Sequence, residues 1–120
     1  MVQASDWSSQ MPQSIPLKRR FPRVDYVTPM LIKRVGSLSD EHEQISRTQV
    51  LGLGGCMFTS ERALGVNSML ALLITVKGRV LRAKARVAWE QRVPREVRIG
   101  VEFLHLDHTD RALLETVVPA

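Results

Sequence analysis

Four cations fall within six residues at Lys18-Arg19-Arg20-Phe21-Pro22-Arg23. Arg19 and Arg23 stand four positions apart, and in an extended segment an even spacing puts both side chains on one side. A guanidinium is a planar fork that grips phosphate oxygens in bidentate fashion. It can also pair with O6 and N7 of guanine, or stack on a base. Two such forks on one strap suit a small, flat, doubly charged ligand. The competing reading is a charged tail dissolved in water, and the cluster alone leaves both open.

The other groups with chemical potential are weaker. Leu51-Gly52-Leu53-Gly54-Gly55 is rich in glycine but lacks the Lys-Ser/Thr of a phosphate loop and the spacing of a dinucleotide fingerprint. A strand follows it, so no helix N-terminus would face a phosphate. A tight turn or bulge accounts for it. His105, Asp107 and His108 lie at a strand-to-helix junction with no further Cys or His nearby, whereas metal sites normally converge three or four ligands. His42 sits in a polar turn. Cys56 is followed by Met57 and Phe58 and reads as a small core residue. The acidic residues are scattered, with no acid/base pair. No catalytic residue, metal or cofactor is therefore expected.

Arg82, Lys84 and Arg86 form a basic stripe on one strand. Single-strand binders interleave aromatic residues for stacking. Aromatics make up 5% of this chain and none falls among those three cations, so a solvated strand face is expected rather than a nucleic-acid track.

The chain has 120 residues with 44% hydrophobic and 24% charged, enough for one domain and its core without disulfides. A net charge of +5 favours anionic partners without choosing among them. One cysteine excludes an internal disulfide and fits a reducing compartment. The longest apolar run, Met69 to Ile74, is too short to span a bilayer, and the polar N-terminus has no signal-peptide core. A cytoplasmic location is expected.

The elements that must position these groups are mainly strands. Residues 1–17 show no period and read as a flexible tail; residues 18–120 read as the domain. Val24 to Val35 is β-rich, with Pro29 marking an edge, a bulge or a bend. A polar turn covers 36–42, and a strand is expected from Glu43 to Leu51. Cys56 to Ser60 and Met69 to Val76 follow, with turns at 62–68 and at Lys77-Gly78. Leu81, Ala83, Ala85, Val87 and Trp89 alternate with Arg82, Lys84, Arg86, Ala88 and Glu90, which is the period of a half-buried strand. This alternation places Trp89 on the core side. Gln91 to Glu96 reads as a polar loop, and Val97 to Leu106 alternates again. Asp107 or Thr109 can cap a short helix bearing Leu113, Leu114, Val117 and Val118. About six short strands and one helix argue for a small all-β barrel.

This order of features resembles the PilZ domain family. Arg19-Arg20-Phe21-Pro22-Arg23 is similar to its RxxxR strap. The Gly54-Gly55 turn, Val87-Ala88-Trp89 and Ile99-Gly100-Val101-Glu102-Phe103-Leu104 resemble its later motifs. The resemblance implies a six-stranded antiparallel barrel with a C-terminal helix. It also implies bacterial signalling through cyclic di-GMP, without enzymatic activity. Arg19 and Arg23 would hold the ligand with Arg20 assisting, and Gly54 and Gly55 would let a base approach.

The family's second motif is (D/N)xSxxG. Aligning its last glycine with Gly55 puts Val50 where Asp or Asn stands and Gly52 where Ser stands. Losing two polar contacts would weaken binding by roughly tens- to thousands-fold. The alternative function is an adaptor that ignores the nucleotide and acts through a protein of a motility, biofilm or secretion system.

Overall fold

The computed structural model describes residues 23–35 and 43–118. The proposed tail 1–17, Arg19, Arg20, the 36–42 turn and His42 lie outside the described residues. The strands are β1 (Arg23–Asp25), β2 (Pro29–Arg34), β3 (Glu43–Gly52) and β4 (Gly55–Ser60), then β5 (Met69–Val76), β6 (Arg79–Val93) and β7 (Glu96–Leu106). The helix α1 (His108–Glu115) follows.

Every pairing is antiparallel. Six strands run β3-β2-β5-β6-β7-β4, and β4 pairs back onto β3, so the sheet closes into a barrel. Closure removes the exposed edges that a small sheet would otherwise present. The inner face is apolar on every strand of the barrel: Ile32, Leu51, Phe58, Leu72, Val87 and Ile99 are among its buried residues. The helix packs against β6, with Leu114 and Val118 fully buried in the same core. Leu113 and Val117 are partly buried beside them, as their spacing suggests.

The seventh strand comes from splitting the segment 24–35. Pro29 begins β2, where a missing N–H interrupts no established ladder. β1 is separate and lies along the far half of β3. The corner between them is pinned by Thr48, which is fully buried. Its hydroxyl donates to the Tyr26 carbonyl at 2.5 Å and accepts from the Thr28 N–H at 3.1 Å. Thr28 in turn donates to the Thr75 carbonyl at 2.7 Å. Buried backbone polar groups at a corner need such partners, and these hold β1 at a set angle.

The turns follow local chemistry. Lys77 and Gly78 both have positive φ, 51° and 77°, as a two-residue hairpin turn of the right twist requires. The expected loop 91–96 is shorter than it reads. β6 runs to Val93 and β7 starts at Glu96, with Arg95 at φ 75° in the turn. Its polar residues belong to exposed strand ends, which look like loop in sequence.

Trp89 departs from the expected alternation. The β6–β7 register shifts between Val87 and Trp89, where a bulge inserts one extra residue. A slip of one residue moves every later side chain to the opposite face. Trp89 therefore pairs with Gly100, which lies on the outer side between the buried Ile99 and Val101.

Candidate functional site

Cross-strand partners share a face of the sheet, so the register maps the barrel exterior. Val24 and Leu51 pair and turn inward to the core. Their neighbours turn outward: Arg23 stands opposite Gly52, and Asp25 opposite Val50. Val50 also pairs with Met57, Met57 with Gly100, and Gly100 with Trp89. The outer face thus carries a continuous row, Asp25–Val50–Met57–Gly100–Trp89, across five strands. The next row begins with Arg23 and Gly52 and, beyond the Leu53-Gly54 turn, continues as Gly55, Glu102 and Arg86. Adjacent strands lie about 4.8 Å apart, so each row is a shallow shelf of contiguous side chains.

The glycines shape this shelf by lacking side chains. Among the described residues the positive-φ glycines are Gly65 and Gly78, not those of the 52–55 turn. Gly52 and Gly55 are buried backbone beside Arg23 and Glu102, and neither puts a side chain between its row neighbours. Gly54 accepts a 2.8 Å bond from the Phe103 N–H, which fixes the turn against β7. A Cβ at Gly100 would overlap the Trp89 indole, so the ring lies directly against that glycine. A half-buried ring on an outer face presents a stacking surface.

Charge on the shelf is partly tied. Arg86 is ion-paired with Glu102 and donates to Asn67 Oδ1 at 2.6 Å. It is therefore no part of a free basic stripe, whereas Arg82 and Lys84 are exposed. Arg23 is half-buried at the edge of the shelf, and Asp25 is exposed. Of the sequence-derived site residues, Arg23, Gly54 and Gly55 meet at this place. Arg19 and Arg20 lie outside the described residues. Sequence reasoning missed Asp25, Met57, Glu102 and the outward Trp89. Asp25 had a signal: in a strand it shares a face with Arg23, two positions away.

Cys56 is fully buried, and burial pushes its thiol up to about 12, which makes a thiolate nucleophile inaccessible. His105 Nε2 lies 3.2 Å from Asp107 Oδ1 in an exposed pair. Asp107 is the N-cap of α1 by backbone geometry, though its carboxylate makes no cap bond. Among the described residues no group of three or more His, Cys, Asp or Glu is placed to hold a metal ion. No helix among them is long and apolar enough to cross a membrane. A cavity of about 810 Å³ opens near the start of β3 and the end of β4. Arg34, Arg62 and Arg95 there are matched by Glu43, Glu61 and Glu96, so it has no net pull on an anion.

A family profile described as PilZ domain matches residues 17–118. Comparison with curated protein sequences gives no match. Among solved structures, the chain is similar to the Bacillus subtilis inhibitor of motility MotI/DgrA, at 19% identity and a TM-score of 0.71. That likeness covers 82% of this chain and 49% of the inhibitor. YcgR from Escherichia coli in complex with c-di-GMP is 19% identical with a TM-score of 0.66, over 83% of this chain and 44% of YcgR. The PilZ domain of YcgR with c-di-GMP gives 20% and 0.61, over 84% and 88%. The chain thus spans about half the length of the motility inhibitor and less than half of the longer YcgR chain. At these identities the structural likeness is one of fold.

Proposed function

The chain belongs to the PilZ domain family, whose members are receptor and adaptor modules rather than enzymes, and from this we propose that it binds cyclic di-GMP on the outer shelf of its barrel. The observation that carries this reading is the register of β1 on β3. It sets Arg23, the second arginine of the RxxxR strap, directly beside Gly52 and one turn from Gly54 and Gly55. In this proposal residues 18–120 act as one domain behind a tail of 1–17. Arg19 and Arg23 grip phosphate and guanine, Arg20 assists, and Gly54 and Gly55 keep the approach open. A ligand held against the shelf changes the surface offered to a partner, which requires only that it bind one state of the protein better than another. The absence of Asp or Asn at Val50 and of Ser at Gly52 weakens the complex. The test is calorimetric titration with cyclic di-GMP at physiological salt, with GMP as control. Saturable binding at micromolar concentration, absent with GMP, is the expected result; no heat at high protein concentration would remove the ligand from the proposal.

A second reading, a protein adaptor, is favoured by a different face. Ile45, Leu31 and Leu73 are cross-strand neighbours on the outside of β3, β2 and β5. Ile45 is 80% exposed and Leu73 38%, more than solvation of single apolar residues explains when they adjoin. Lys33, Arg47, Arg82 and Lys84 surround the row, against Glu43 as the acidic neighbour. The face suits an acidic protein segment with apolar side chains, and its own charge opposes pairing with a second copy. A photo-crosslinking residue at position 45 is expected to capture a protein in cells. Leu73→Glu should reduce the yield at least about tenfold, since it places a charge in the apolar centre of the contact. Added nucleotide should leave the yield unchanged; an adduct that survives Leu73→Glu would discard this surface.

A further inference from the structure

The site just proposed has no acceptor side chain at position 50 or 52 for the Watson–Crick edge of guanine. That edge presents two neighbouring donors, N1–H and the 2-amino group, and a carboxylate meets both with its two oxygens. Val50 supplies no acceptor. The register offers a replacement one strand away: Asp25 is the direct partner of Val50, exposed, and on the same outer face. We propose that Asp25 supplies the carboxylate that reads the guanine edge, displaced from position 50 to its cross-strand neighbour; this rests on the cyclic di-GMP reading above.

Three features support the assignment. First, the displacement is small. Neighbouring strands are about 4.8 Å apart, less than the width of a purine, so a base can lie over Val50 while its edge reaches Asp25. Valine then serves as an apolar floor, with Met57 beside it in the same row.

Second, Asp25 works with Arg23. The two side chains leave the same face of β1 two residues apart, about 7 Å along the strand. The arginine fork pairs with O6 and N7, and the carboxylate with N1–H and the 2-amino group. These are adjacent edges of one base, so one short strand reads both.

Third, the other carboxylate near the shelf is engaged. Glu102 is ion-paired with Arg86, which is held by Asn67. Using it for guanine would break that network, whereas Asp25 needs no such rearrangement from its exposed position.

The experiment compares cyclic di-GMP with cyclic di-IMP, which lacks the 2-amino group, by calorimetric titration. Wild-type protein should prefer cyclic di-GMP by about tenfold or more. In Asp25→Ala the affinity for cyclic di-GMP should fall by roughly 10- to 100-fold and the preference should collapse. The double variant Asp25→Ala/Val50→Asp should recover both, because it returns the acceptor to position 50. Asp25 is exposed, so thermal unfolding should be unchanged in the single variant.

A rise in cyclic di-GMP affinity in Asp25→Ala would show a carboxylate that merely repels phosphate, and would overturn the assignment. An equal loss for both nucleotides would do the same, since it indicates a structural effect. If Asp25→Ala binds like wild type while Arg23→Ala does not, the role of Asp25 fails and the arginine reading stands. If wild-type protein binds neither nucleotide, both fail together.

Discussion

Arg23→Ala is expected to weaken cyclic di-GMP binding by roughly 10- to 100-fold, the loss of a charge-assisted bidentate contact. Arg23 is chosen over its neighbours because β1 fixes its backbone against Gly52 on the shelf. Arg23→Lys should recover only part of the loss. It restores the charge, but an ammonium is a point donor and cannot pair with two acceptors at once. The difference between the two variants separates fork geometry from net charge. Arg19→Ala should give a loss of similar size if both arginines hold the same ligand, and the double variant should then lose less than the product of the two. Both measurements need a stability control, met by an unchanged thermal midpoint. Equal affinity in Arg23→Ala and wild type would move the site away from this shelf.

Phe58→Ala carries the largest expected cost in stability. Phe58 is fully buried and sits between Thr48 on β3 and Ile99 on β7, at the seam that closes the barrel. Truncating a buried Phe costs about 3–5 kcal/mol, from lost transfer energy and the cavity left behind. Total stability for a domain is about 5–15 kcal/mol, so much of the fold's margin would go. Urea unfolding should show a lower midpoint at similar slope. Met57→Ala, one residue earlier but on the outer face, should cost well under half as much. If the two variants were equally destabilised, the inward and outward faces of β4 would be misassigned. Met57→Ala is also expected to keep the fold while altering nucleotide affinity, because Met57 lies in the row between Val50 and Gly100.

Much of this protein is legible without its structure, wherever information is local. The alternation from Leu81 to Val87 predicts an inner face that is buried in the barrel. Lys77-Gly78 reads as a hairpin turn and has the positive φ values that such a turn needs. Cys56 reads as core and is core. The order of motifs is enough to place the chain in its family and to anticipate a six-stranded barrel with one C-terminal helix. These features depend on side-chain period, on backbone preference at single positions, and on motif order, all of which one strand at a time can encode.

Tertiary pairing decided what the pattern of apolar and polar residues leaves open. The segment 24–35 reads as one interrupted strand, but its halves pair with different parts of β3, and this brings Arg23 to Gly52 and Asp25 to Val50. Trp89 continues the apolar alternation in sequence, yet one bulge after Val87 turns it outward over Gly100. Arg86 looks like a third member of a solvated stripe until β7 supplies Glu102 and the 62–68 turn supplies Asn67. The physical reason is common to all three. A strand's period assigns faces only relative to a starting residue, and a single inserted residue or a different partner strand resets that origin. The partners lie 16 to 29 positions away in the chain for Arg86 and Arg23, where no local signal reaches.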